Sequence, residues 1–231
     1  MSVRSTSPTQ KSSTEPAAIR ILWSDEAVVA ALKPAGIPVQ PDPTGDPDLL
    51  SLLRRQLNEP ELHLVHRLDR PVSGVVLFGR TRQATEGLNS QFRHRSVHKV
   101  YWAIVEGRVE GPRELYGVLR RDPRRRKATV LTDVEQGAGG VLRVRPLNLG
   151  ERYTLLEVEP EGGAFHQIRA QLSAAGWPIK GDVKYGARRG ERDRSIHLHA
   201  FAITFGHPAT GVPMVVEAPV PMSGLWTTLT P

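Results

Sequence analysis

Short apolar runs separated by polar punctuation dominate the chain from Ile19 onward. Ile19 to Trp23 and Ala27 to Leu32 flank Ser24-Asp25-Glu26, the pattern of two strands joined by a turn. Lys33-Pro34-Ala35-Gly36 interrupts the second run, and Pro38, Pro41, Pro43 and Gly45 mark a long loop. Apolar residues then recur at helical spacing from Leu49 to Leu57, which predicts one short helix. Val75-Val76-Leu77-Phe78 is unbroken and bounded by Gly74 and Gly79, as in a strand buried on both faces. Thr81 through Arg95 contains no proline, sets Leu88 and Phe92 four apart and offers Thr81 as a cap, so a second helix is predicted there.

Val100 to Glu106 returns to a strand pattern, and Leu115 to Arg120 with Ala128 to Leu131 predicts a hairpin whose tip, around Asp122-Pro123, is basic. Further strands are expected at 141–146, 152–159, 198–205 and 213–218, with a helix from about His166 to Ala175. Strands outnumber helices without regular alternation, which favours an α+β domain over a doubly wound one. Residues 1–18 are rich in Ser, Thr, Pro and Gln and hold few large apolar side chains, so burial there cannot offset the entropy of ordering. They are expected to be a disordered tail ahead of one domain at 19–231.

Composition narrows the chemistry. Hydrophobic residues make up 39% of the 231, enough for a buried core. The formal net charge is +7, with arginine far outnumbering lysine, so a polyanionic partner is the first to consider. There is no cysteine, which removes disulfides, thiolate metal sites and thiol catalysis together and fits a reducing compartment. No stretch approaches the roughly 18–20 apolar residues that cross a bilayer, and the N-terminus lacks the apolar core of a secretory signal. A cytoplasmic protein without membrane contact is expected.

Four segments concentrate candidate chemistry. His66-Arg67-Leu68-Asp69-Arg70-Pro71-Val72-Ser73-Gly74 is a dense polar cluster just ahead of the buried strand, with a carboxylate between two arginines whose charge favours its anion. Taken alone, a loop ion pair is the better explanation, since structural ion pairs also perturb acids. His98-Lys99-Val100-Tyr101-Trp102 opens a strand with two rings on opposite faces, so only one of them can stack on a given base. Phe165-His166-Gln167-Ile168-Arg169 sets His166 and Arg169 three apart on one side of a helix. It is followed by Gln171-Leu172 and Gly176-Trp177-Pro178-Ile179-Lys180-Gly181-Asp182. Leu198-His199-Ala200 and His207-Pro208 read as ordinary packing. The pairs His63/His66 and His197/His199 match no zinc spacing, so no metal is expected.

Together these segments, in order and spacing from about Ile21 to Pro221, resemble the RluA family of pseudouridine synthases. The carriers are the His-Arg-Leu-Asp segment ending in Ser73-Gly74, Lys99 to Tyr101, and His-Gln-Ile-Arg at 166–169. Lys33-Pro34-Ala35-Gly36 matches the family's opening, and Leu198-His199-Ala200 and His207-Pro208 its C-terminal strands. Two positions depart: Gly163-Ala164-Phe165 stands where the family commonly has Gly-Arg-Thr, and Val72 replaces a common threonine. The family's frequent N-terminal RNA-binding module is not expected, because the first eighteen residues cannot fold into one.

The resemblance implies a mixed, largely antiparallel central sheet flanked by short helices and loops, with an RNA-binding cleft. It implies isomerisation of a uridine in structured RNA, ribosomal or transfer, with no cofactor, metal or obligatory protein partner, by a monomer. Asp69 would be the catalytic carboxylate, as nucleophile or as base at the sugar. Arg169 would hold it, Tyr101 would pack on the uracil, and Arg67 would fill the space left by a flipped nucleotide. Lys33, Arg121, Arg124, Arg125, Arg126, Lys127 and His166 are candidates for contact with RNA. Two rivals remain: an RNA-binding module without catalysis, and a nucleosidase, which would need two cooperating carboxylates where one is in view.

Overall fold

β1 (Ile21–Ser24) and β2 (Val28–Lys33) open the fold as an antiparallel pair, and the turn between them closes where Asp25 Oδ1 accepts from Ala27 and Val28 N–H at 2.9 Å each. The structure, a computed structural model, describes residues 18–131 and 139–231. Residues 1–17 of the expected tail therefore lie outside the described residues. After the loop, Asp48 caps α1 (Leu49–Leu57) through its side chain on Ser51 N–H, 3.0 Å away, and the helix buries Leu49, Leu50, Leu52 and Leu53. β3 (His63–Leu64) and β4 (Ser73–Gly79) bracket the segment that carries Asp69. The predicted cap Thr81 starts α2 (Arg82–Arg93), its hydroxyl accepting from Ala84 N–H at 3.1 Å.

The remaining elements follow as β5 (His98–Glu106), β6 (Arg113–Leu115), β7 (Val118–Asp122), β8 (Lys127–Leu131), β9 (Leu142–Leu149) and β10 (Tyr153–Pro160). Then come α3 (Gln167–Ala174), a single 3-10 turn at Val183–Tyr185, β11 (Leu198–Gly206), β12 (Pro213–Glu217) and α4 (Leu225–Leu229). One expected strand is split: Leu115 ends β6 in the large sheet, and the hairpin begins afresh at Val118. Gly117 makes the break, at φ 154° and with no room for a Cβ, which would stand 2.3 Å from Val130. β3 and α4 escaped the sequence pattern because two and five residues are too short for a period to register.

Ten strands form one sheet in the order β1-β2-β4-β11-β5-β10-β9-β6, with β3 added on β4 and β12 on β11, while β7 and β8 form a separate two-stranded ribbon. The fold is thus the mixed, mainly antiparallel α+β sheet that was expected. The parallel contact joins β4 to β11 through just Ser73 opposite His199 and Gly74 opposite Ala200. Gly74 is required there: its φ is 124°, and a Cβ would lie 2.3 Å from the Ala200 carbonyl oxygen. α2 bridges this narrow seam, since the Gln91 amide bonds both the N–H and the carbonyl of Gly206, at 2.8 and 2.7 Å.

Strand alternation sorts the rings of β5. Tyr101 packs against the main core, whereas Trp102 faces a smaller cluster of Ile104, Leu155, Trp226 and Leu229 under α4 and stacks on Phe201 at 4.2 Å. His199 and His207 serve packing, as expected: His199 Nδ1 meets Ser73 Oγ and His207 Nε2 meets Asp25 Oδ2, both at 2.8 Å. No helix among the described residues is long and apolar enough to cross a membrane.

Candidate active site

The loop between β3 and β4 is fastened from several directions. His66 Nε2 accepts the Leu77 N–H at 3.0 Å, the Gly36 N–H donates to the Arg70 carbonyl at 2.9 Å, and the Asp69 carbonyl takes the Val72 N–H at 3.0 Å. Lys33, a candidate for RNA contact, is instead fully buried beneath this loop. Its ammonium donates to the carbonyls of Pro34, Arg70 and Val72 at 2.8, 3.1 and 2.6 Å, which uses all three N–H groups, so none is left for a phosphate. Burial pushes its pKa down to about 7, against the opposing pull of the Asp69 charge.

The arginines that flank Asp69 in sequence are not the ones that hold it. Arg70 turns away to the Gly36 carbonyl at 2.8 Å and to Asp46, and Arg67 points to solvent, pairing with no carboxylate among the described residues. The partner comes from α3, one hundred positions on: Arg169 Nη1 donates to Asp69 Oδ2 at 3.0 Å. The same guanidinium forks onto Asp182, Nε to Oδ2 at 2.6 Å and Nη2 to Oδ1 at 2.8 Å. Burial works against the charge of Arg169, but Asp182 first and Asp69 second raise its basicity above the ordinary value. Asp182 is 2% exposed, while the Asp69 side chain retains 21%, so only Asp69 can meet a ligand.

His166, a candidate for RNA contact, faces this carboxylate from the wall of the same cavity. It caps α3 in a left-handed conformation (φ 55°), its Nε2 lies 3.4 Å from Asp69 Oδ2, and its side chain is 8% exposed. Burial, opposed by Asp69 and reinforced by Arg169 and Lys184, pushes its pKa down to about 4. His66 is likewise held neutral, down to about 3, by burial and the Lys99 charge.

These groups line a cavity of about 260 Å³ whose walls include Arg67, Asp69, Phe92, Tyr101, His166 and Arg169. The structure therefore brings together the carboxylate, the guanidinium, the phenol and Arg67. Burial, with the Asp69 charge behind it, pushes the Tyr101 phenol well above its usual range, so the ring is a neutral phenol at working pH.

The hairpin flanks the cavity rather than entering it. Arg124, Arg125 and Arg126 are exposed at its tip. The Arg121 guanidinium lies 4.6 Å over the Phe165 ring and the Lys127 ammonium 4.9 Å over Tyr185. Where Ala164 departs from the family pattern, an arginine thus reaches the neighbouring Phe165 from the hairpin. Asp182 and Tyr185 carried no role in the sequence; the available signal was Gly181-Asp182 just after the helix, with Tyr185 three residues on.

Residues 27–174 match the family model described as RNA pseudouridylate synthase. The chain is 34% identical over 222 residues to the ribosomal large subunit pseudouridine synthase D of Xanthomonas campestris pv. campestris, covering 88% of this chain and 66% of that protein. It is 32% identical over 212 residues to synthase C of Pasteurella multocida, covering 87% and 64%. The chain thus spans about two thirds of the length of these relatives. In fold it is similar to human RNA Pseudouridylate Synthase Domain Containing 1, with a TM-score of 0.75, 23% identity and coverage of 90% of this chain and 87% of that one. The human Domain Containing 4 protein gives a TM-score of 0.67 at 25% identity, covering 87% and 88%.

Proposed function

The chain belongs to the RNA pseudouridylate synthase family, and on that premise we propose that it isomerises a uridine of ribosomal or transfer RNA to pseudouridine, with Asp69 as the catalytic carboxylate. The observation that carries this is a partly exposed carboxylate fixed by a buried guanidinium at 3.0 Å, beside a neutral phenol, in a cavity suited to one base and too small for a duplex. Pseudouridine formation breaks the bond from ribose to the base nitrogen, turns the uracil and rejoins it through carbon; no atom is gained or lost, so the reaction requires no cofactor.

A stacked uridine must first be extruded, at a cost of a few kcal/mol. Arg67, exposed at the rim and free of a carboxylate partner among the described residues, is suited to occupy the gap. Arg169 keeps Asp69 in place before substrate arrives, so little reorganisation is needed at the reacting sugar. Tyr101, with its proton retained, serves as a face for the uracil and a hydrogen-bond donor rather than as a standing base. The domain at 19–231 acts as one catalytic unit, a cytoplasmic monomer.

Asp182 is the second carboxylate that a nucleosidase would need, but both its oxygens are committed to Arg169 and water has no access to it. Purified protein incubated with RNA transcribed without modification should block primer extension at defined positions after carbodiimide treatment, without release of free uracil. Release of uracil would establish the nucleosidase instead.

The hairpin tip is suited to phosphates. Replacing Arg124, Arg125 and Arg126 together by alanine should weaken RNA binding and lower the slope of log affinity against log salt by about 0.7–0.9 for each phosphate no longer neutralised. kcat at saturating RNA should not change. An unaltered slope in filter binding across a salt series would remove the tip from the interface.

A further inference from the structure

Behind His166 stands a side chain to which the mechanism above gives no task. Tyr185, on the 3-10 turn, is 2% exposed, and its hydroxyl oxygen has two partners: the Ala128 N–H at 2.7 Å and His166 Nδ1 at 2.8 Å. The Ala128 amide can only donate, so it takes the acceptor side of the phenol oxygen. The phenolic proton is then left for His166 Nδ1. With Nδ1 accepting, the neutral ring must carry its hydrogen on Nε2, the nitrogen 3.4 Å from Asp69 Oδ2.

We propose that Tyr185 is a positioning residue for the Asp69 centre: by donating to His166 Nδ1 it confines the imidazole to the neutral Nε2–H form, which turns an N–H towards the carboxylate without adding a full positive charge. The role in catalysis rests on Asp69 being the working group; the tautomer does not. Were Nδ1 free, a proton there would create an imidazolium against Asp69. That charge would compete with Arg169 and bind the carboxylate as an ion pair, reducing its reactivity at the sugar.

The groups around the ring divide. Asp69 from the β3–β4 loop and Asp182 before the turn favour its protonation, while Arg169 on α3 and Lys184 on the turn oppose it. Phe165 stacks on it at 3.8 Å with Arg121 of β7 beyond, and burial acts with the cations. The hydrogen bond from Tyr185 adds a directional constraint that this balance of charges lacks. Because Ala128 belongs to β8, the basic hairpin is also joined to the imidazole that faces the carboxylate by two hydrogen bonds, amide to phenol to imidazole.

Tyr185→Phe tests this, since the ring can remain beside Arg169 and Lys127, each 4.9 Å from its centre, and the acceptor lost to the Ala128 N–H is a change that the His166 titration does not report. Nitrogen-15 correlation spectra of the RNA-free protein should show wild-type His166 as the neutral Nε2–H form from about pH 5.5 to 8. In the variant its pKa should rise by at least about one unit. The acid limb of kcat should move up by the same amount, so that activity on that limb, below the wild-type pKa, falls about tenfold with KM unchanged. Adding His166→Gln, which cannot titrate but keeps an N–H for Asp69, should restore the wild-type acid limb. A wild-type His166 that is charged or Nδ1-protonated at neutral pH overturns the proposal, as does a titration that Tyr185→Phe leaves unmoved. An active Asp69→Asn enzyme would overturn the catalytic role of Asp69, yet would not alter the meaning of that titration.

Discussion

Asp69→Asn is expected to abolish pseudouridine formation, by at least about 10³-fold in kcat, while RNA affinity and fold persist. The amide keeps the shape of the side chain and an oxygen that can still accept from Arg169 Nη1, so the loop retains its anchor. What disappears is the negative charge, and with it both ways in which this residue could act on the sugar. The fastening of the loop by Lys33, His66 and Gly36 does not involve the Asp69 side chain, which is why stability should change little. Single-turnover assays with saturating enzyme separate this from weak binding. A variant as active as wild type would remove Asp69 from the mechanism.

Arg169→Lys should be nearly as damaging, although it preserves charge. The guanidinium uses Nε and Nη2 on Asp182 and Nη1 on Asp69 at once, and a single ammonium cannot reproduce that planar three-way geometry. Asp182, 2% exposed, would be left partly unpaired, for which a stability loss of about 2–4 kcal/mol in urea unfolding is expected. kcat should fall by about 10² or more as Asp69 loses its fixed orientation. Loss of stability with unaltered kcat would make Arg169 a purely structural residue.

Much of the fold was legible because its elements announce themselves locally. Val75 to Phe78 is apolar on both faces, Thr81 caps its helix through its own hydroxyl, and the alternation of β5 separates Tyr101 from Trp102 as period two requires. The identity of the carboxylate and its guanidinium came from the family pattern, but their setting did not follow from neighbours in sequence. Arg70 flanks Asp69 and yet serves Asp46 and Gly36, while the contacting arginine is one hundred positions away. Lys33 reads as a surface cation because lysines usually are; two of the three carbonyls that make its burial tolerable come from a loop nearly forty residues on. Asp182 and Tyr185 were silent for the same reason, since each matters only through a partner brought in by tertiary folding.

The two-residue parallel seam between β4 and β11 has a consequence for how such a centre evolves. Asp69 is borne by the part of the molecule on one side of that join, Tyr101 and Arg169 by the part on the other. The reactive constellation is therefore owned by neither portion. It is created by their juxtaposition, like the bite of a pair of pliers, and the pivot is a residue chosen for having no side chain at all. Alterations at Gly74 or Ala200, neither of which lines the cavity, would misalign the jaws while leaving every tooth intact.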